Sequence, residues 1–260
     1  MGRHPEHDAV AAEVRSWYTA STPAIGLSLI STSDGFLTES DRALCNRLVL
    51  TQGRAEGVAD ALARAAGLFG TSAFEVWVDD RSGAEHLTPA LRSAGMEPVS
   101  DTVVLALLGS VRADRGPDGL VLEDVVDTRG LEQWATVKIQ SFADSEERPG
   151  PEQLQAELAE RQVEWPICRY QVARLDGEVV AILGHYTGQD QMVFNLATRL
   201  PFRHRGIARS MLARWSGAGD GHGTRSYLIN CDDGGPAEAL YRRLGFTDEV
   251  YWYRRYRSSP

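Results

Sequence analysis

The 260-residue sequence predicts an α/β (α+β) fold built on a mixed, mostly antiparallel sheet flanked by helices. Three observations carry this prediction. Turn signals tie three β-patterned stretches of the second half into a meander. After Pro201 the apolar period changes from two to about 3.6. Strand and helix patterns then alternate to the C-terminus.

The elements follow in order. In the first half, Leu48–Leu50 reads as a strand, and Val58, Leu62, Ala65 and Phe69 mark one face of a helix. Phe74, Val76 and Val78 alternate as a strand, a segment ends at Leu91–Met96, and Val99–Leu108 closes as a strand. The chain before residue 45 is short for a full meander. Gly109–Gly119 is polar, holds three glycines and a proline, and marks a boundary. Beyond it, Leu120–Val126 is a strand, Leu131–Phe142 a helix, and Pro151–Gln162 a helix with proline in its first turn. Ala143–Pro151 reads as a solvated connector between them. Cys168–Leu175 and Glu178–Tyr186 flank Asp176-Gly177, a strong hairpin signal. A second turn at Thr187–Asp190 leads into a strand over Gln191–Thr198. Ile207, Met211, Leu212 and Trp215 mark a helix that stops in the glycine-rich 217–221 segment. Arg225–Asn230 is a strand, Pro236–Leu244 a helix stopped by Gly245, and Phe246–Arg257 an aromatic-rich strand.

Composition narrows the function classes. With 43% hydrophobic and 24% charged residues, the chain can bury a core. No apolar run is long enough to span a bilayer, and the N-terminus has no signal-peptide stretch, so a cytoplasmic protein without a membrane partner is expected. A net charge of -9 argues against a nucleic-acid partner and leans toward cationic small molecules. Cys45, Cys168 and Cys231 have neither metal-site nor disulfide spacing, so no metal is expected.

The informative stretch is Thr198–Leu212. A strand runs into Arg203-His204-Arg205-Gly206-Ile207-Ala208, which opens a helix. Main-chain N–H groups at such a turn lack intrahelical partners, and the helix dipole adds positive potential. Gly206 and Ala208 let an anion approach, and Arg203 and Arg205 add charge. The pattern suits a diphosphate, but it matches neither a Walker loop nor a GxGxxG fingerprint.

These residues resemble the Q/R-x-x-G-x-G/A signature of the GCN5-related N-acetyltransferases (GNATs). Downstream, Ala239–Phe246 is similar to that family's Tyr-x-x-Leu-Gly-Phe signature. The resemblance covers about residues 118–257 and implies acetyl transfer from acetyl-CoA to an amine. It implies splayed central strands, with free main-chain groups at Thr198, Arg199 and Leu200 pairing with the pantetheine arm. The amides of Arg203, His204, Arg205, Gly206, Ile207 and Ala208 would then hold the diphosphate, helped by the Ser210 hydroxyl. Tyr241 would be the general acid that protonates the thiolate. The carboxylate base that the family often carries on the central strand is not evident, since Asn195 stands there; Asp190, His185 and Asp232 are substitutes. Gly234 stands where the family often has Asn. Without the motif Tyr241 reads as a helix-end core aromatic, and within the motif as a catalytic acid; His185 reads as half-buried structure.

The first half repeats the pattern. Arg54-Ala-Glu-Gly57-Val-Ala59 has the spacing of Arg203–Ala208, and Leu91–Met96 stands where Tyr241–Phe246 stands. Leu91 replaces the tyrosine, and Glu56 puts negative charge where a diphosphate would rest. The expected organisation is therefore a tandem: residues 1–110 a degenerate, structural GNAT-like domain, and 118–260 the catalytic domain. The expected activity is N-acetylation of the primary amine of a small polar molecule by direct attack in a ternary complex. The alternatives are a non-catalytic CoA-binding or regulatory module and a protein N-acetyltransferase; homodimerisation is left open.

Overall fold

The computed structural model describes residues 28–31, 35–39, 46–50, 55–70, 74–112, 116–165, 168–186, 190–218 and 226–258. These form two compact units. One comprises Met1–Val104, Cys231–Glu238 and Glu249–Pro260, the other Leu105–Asn230 and Ala239–Asp248.

The first unit holds β1 (Ser28–Ser31), β2 (Gly35–Glu39), β3 (Arg47–Leu50), α1 (Val58–Phe69), β4 (Glu75–Val78), α2 (Arg81–Ser93) and most of β5 (Met96–Leu107). The chain before residue 45 is short for a full meander, yet β1, β2 and β3 pair antiparallel in series. Strand β3 then pairs parallel with β4 over its whole length, from Arg47 opposite Glu75 to Leu50 opposite Val78. Helix α1 buries Val58, Ala61, Ala65 and Phe69, so three of the four positions its period predicts are buried, while Leu62 is only half-buried and Ala61 takes the fourth place. Helix α2 starts where Asp80 accepts the Ser82 and Gly83 amides.

The final strand, β11 (Asp248–Ser258), also lies in this unit, pairing antiparallel with β4. Its side chains account for that. Tyr253 stacks on Trp77 with ring centroids 4.4 Å apart. The Tyr251 hydroxyl donates to buried Asp79 at 3.3 Å, and Arg254 grips Asp101 through two bonds of 2.6 and 2.7 Å. The compact units therefore do not follow a simple division of the chain near residue 110.

The second unit holds β6 (Val121–Asp124), α3 (Thr128–Phe142), α4 (Pro151–Glu164), β7 (Cys168–Leu175), β8 (Glu178–Tyr186), β9 (Asp190–Thr198), α5 (Ile207–Ala218), and most of β10 (Ser226–Asp232) and of α6 (Pro236–Arg243). Its strands run in the order β10-β9-β8-β7-β6, with β9 and β10 parallel and the rest antiparallel. Asp176 and Gly177 take φ of +52° and +82° between β7 and β8, the two left-handed positions a type I′ hairpin needs. Helix α3 begins three residues before the apolar pattern does, because Asp127 caps it through the Gly130 amide at 2.7 Å. Trp134 is fully buried against Tyr170 and donates its indole N–H to the Leu183 carbonyl at 3.1 Å. Leu131, Val137, Val172 and Ile182 complete this core between α3 and the sheet.

Candidate active site

The site is built on β9. From Asp190 to Val193 it pairs with β10, Ser226 to Ile229. Past Val193 no described strand is registered with β9 on that side, so the two strands part. At the same place, the register with β8 slips between Gly184 and His185, leaving Phe194 as the extra residue of a β-bulge. The Phe194 ring fills the space over Gly184. A Cβ there would lie 2.6 Å from the ring and 3.1 Å from Trp134.

Strand alternation shows which groups face the gap. The Arg199 N–H donates to the Val180 carbonyl at 2.9 Å, so residues 199, 197 and 195 turn their main-chain groups toward β8. Leu196 and Thr198 turn theirs the other way, toward the gap. This corrects the placement of Arg199 and Leu200. The Arg199 carbonyl accepts from the Phe202 amide, and the Leu200 carbonyl from the Arg203 amide, so both are consumed within the turn. The sequence does not single out Leu196, whose main-chain groups face the gap, because no sequence pattern reveals the parity beyond a bulge.

After a 3-10 turn over Leu200–Phe202, His204 and Gly206 both adopt left-handed backbone, with φ of +62° and +81°. The first intrahelical donor of α5 is the Ser210 amide, bonded to the Gly206 carbonyl at 3.0 Å. The amides of Gly206, Ile207 and Ala208 precede that ladder. A Cβ on Gly206 would meet nothing within 4 Å, so the front of the turn is open. Arg205 is exposed beside the Phe202 ring and, among the described residues, forms no ion pair. Two expected ligands are differently occupied. The Ser210 hydroxyl, on a buried residue, bonds back to the Gly206 carbonyl at 3.3 Å, as a serine one turn into a helix can. The Arg203 guanidinium is spent on the Thr198 and Ser141 carbonyls and on Asp144.

The proton-transfer candidates separate. Tyr241 is buried on α6 with its ring 6.2 Å from Phe246, and α6 stops at Gly245, whose φ is +102°. Asn195 is half-buried on β9 opposite Gly184. Asp190 opens β9 opposite Ser226. Its side chain, the 187–189 turn and Arg54 lie outside the described residues. Burial pushes the His185 imidazole down to about 4, which disqualifies it as an effective base near neutrality. Asp232 is exposed, and its carbonyl accepts from the Gly235 amide. At Gly234 the main chain is left-handed, φ +72°, and its N–H donates to Glu238 at 2.6 Å.

A charged cluster sits on the α3 side. Arg161, 4% exposed, meets Glu157 at 2.9 Å, Glu160 at 2.8 Å and Glu164, with its guanidinium 5.8 Å from the Phe194 ring. Burial pushes the Glu164 carboxyl up, and Arg161 pulls it back in part. No motif or spacing in the sequence singles out these residues.

Parted strands beside a glycine turn at a helix start suit a nucleotide-linked thioester, and the family comparison agrees: the profile of the acetyltransferase (GNAT) domain matches residues 166–248. Residues 166–248 are a GNAT acetyltransferase domain. Among solved structures, a GCN5-related N-acetyltransferase from Kribbella flavida is similar with a TM-score of 0.70 and 17% identity, covering 96% of each chain. A GCN5-related N-acetyltransferase from Sphaerobacter thermophilus has a TM-score of 0.63 and 21% identity, covering 95% of this chain and 84% of its own. A tandem GNAT protein from the clavulanic acid biosynthesis pathway has a TM-score of 0.61 and 12% identity, covering 98% and 94%. At these identities the likeness is one of fold. No curated protein matches the sequence. Among the described residues, no helix is long and apolar enough to cross a membrane, and no cluster of His, Cys, Asp or Glu could hold a metal ion.

Proposed function

We propose that this GNAT protein transfers the acetyl group of acetyl-CoA to the primary amine of a small, polar, cationic molecule, by direct attack in a ternary complex. The observation that carries the reading is the parting of β9 from β10 beyond Val193, directly before an open, left-handed glycine turn. The Leu196 main-chain groups and the Thr198 N–H would bind the pantetheine arm as an added strand would, the Thr198 carbonyl being held by Arg203. The Gly206, Ile207 and Ala208 amides and the Arg205 guanidinium would receive the diphosphate. Acetyl-CoA supplies the activated acyl group. Tyr241 gives a proton to the departing thiolate, and Asn195, which has no basic lone pair, orients rather than deprotonates. The -9 net charge favours a cationic acceptor. We assign catalysis to the second unit and a structural role to the first.

The deciding experiment is acetyl-CoA consumption against a panel of small amines. Tyr241→Phe should lower kcat by about 10²-fold and leave acetyl-CoA binding intact, the scale of a lost general acid. Tight acetyl-CoA binding with no turnover on any amine would instead favour a regulatory CoA-binding module.

A further inference from the structure

Two arginines of the β9–α5 loop, Arg199 and Arg203, are tied to the connector between α3 and α4. The Arg203 Nε donates to the Thr198 carbonyl at 2.9 Å, and one Nη donates both to the Ser141 carbonyl at 2.8 Å and to Asp144 Oδ1 at 2.6 Å. Arg199 bonds Glu146 through Nε at 3.0 Å and pairs with Glu178. The connector is shaped for this. Asp144 is left-handed, φ +48°, and the Gln140 amide holds the Glu146 and Glu147 carbonyls at 3.1 and 3.3 Å. One planar guanidinium thus joins the end of β9, the C-terminal turn of α3 and a connector carboxylate. Only a fork can do this; an ammonium cannot reach all three acceptors from one point.

We propose that Arg203 and Asp144 form a positioning pair that holds the end of β9 and the turn before α5 in the shape acetyl-CoA needs, and that Arg203 is not a phosphate ligand. The inference rests on the acetyl-CoA reading of this site. Through this pair the α3–α4 connector keeps the thioester strand and the diphosphate turn in register. Arg205, facing open space, is left as the phosphate-directed side chain. The Thr198 carbonyl, clamped by Arg203, is fixed in direction, and so is the Thr198 N–H that faces the gap.

The experiment measures acetyl-CoA affinity of the full chain by titration calorimetry at several salt concentrations. Arg203→Lys keeps the charge and loses the fork, so it should weaken binding by about tenfold, as losing charge-assisted hydrogen bonds does. Its salt dependence should match that of the wild type, since the charge facing the ligand is unchanged. Arg205→Gln should flatten the salt dependence, because it removes the charge directed at the diphosphate. Asp144 is 66% exposed, so Asp144→Asn leaves the fold intact. It should weaken binding by about threefold, the scale of an exposed ion pair, although it removes a negative charge near the ligand's own. Wild-type affinity in Arg203→Lys, or unchanged or tightened binding in Asp144→Asn, overturns the pair while leaving the function reading standing. Absence of any wild-type binding overturns that reading and the pair with it.

Discussion

His185 illustrates how burial decides what a side chain can do. It is 7% exposed on β8, with its ring 6.0 Å from that of Trp215 and its Nδ1 3.4 Å from the Tyr186 carbonyl. Desolvation lowers its pKa to about 4; Arg169 adds to this, while the Tyr186 carbonyl and Asp124 oppose it. The ring is therefore neutral at physiological pH in the folded chain. Between about pH 6.5 and 4 the unfolded chain binds a proton there and the folded chain does not, so stability falls as pH falls across that window. The loss amounts to roughly 3 kcal/mol at the acid end. Thermal unfolding followed from pH 7 to 4 should show this slope, and His185→Gln should flatten it. An unchanged slope in the variant would place the acid sensitivity elsewhere.

At the scale of elements, β9 does the most with the least sequence signal. Its bulge and its departure from β10 occur at one residue, Phe194, whose ring needs the empty space over Gly184. Gly184→Ala puts a methyl 2.6 Å from that ring, which must then move. The expected cost is about 1–3 kcal/mol of stability, the usual range for overpacking. Acetyl-CoA affinity should fall with it, because the bulge directs Leu196 and Thr198 into the gap. Calorimetry of unfolding and of binding on the same variant checks both. Much of this unit was legible in the sequence. The Asp176-Gly177 hairpin, the α5 start at Ile207 and the α6 stop at Gly245 are each announced by residues whose backbone preferences admit few alternatives. The parity of β9 was not legible, because a bulge shifts facing by one residue without changing composition. Gly184, an isolated glycine in a strand pattern, was the available sign of a close approach. The occupation of Arg203 was equally hidden, since its three acceptors come from Thr198, Ser141 and Asp144, two of them main-chain oxygens more than fifty residues away or in another element.

For the molecule as a whole, the repeat in the sequence poses the question of how many acetyl-CoA molecules a chain binds. Corresponding strands of the two units differ where it matters. In the second unit β9 leaves β10 after Val193, whereas in the first β3 stays paired with β4 to its last residue, Leu50. The corresponding glycines differ too. Gly206 is left-handed at φ +81°, while Gly57 has φ -84° and sits beside Glu56 in the helical start. A pantetheine arm cannot add to a strand edge that another strand already occupies, and a carboxylate at a helix start repels a diphosphate. The expected stoichiometry is therefore one acetyl-CoA per chain. Gly206→Glu should abolish binding by placing a carboxylate in the open front of the turn, and Gly57→Glu should leave it unchanged. Calorimetric titration of the two variants decides the matter: two sites in the wild type, or loss of binding in Gly57→Glu, would assign cofactor binding to the first unit as well.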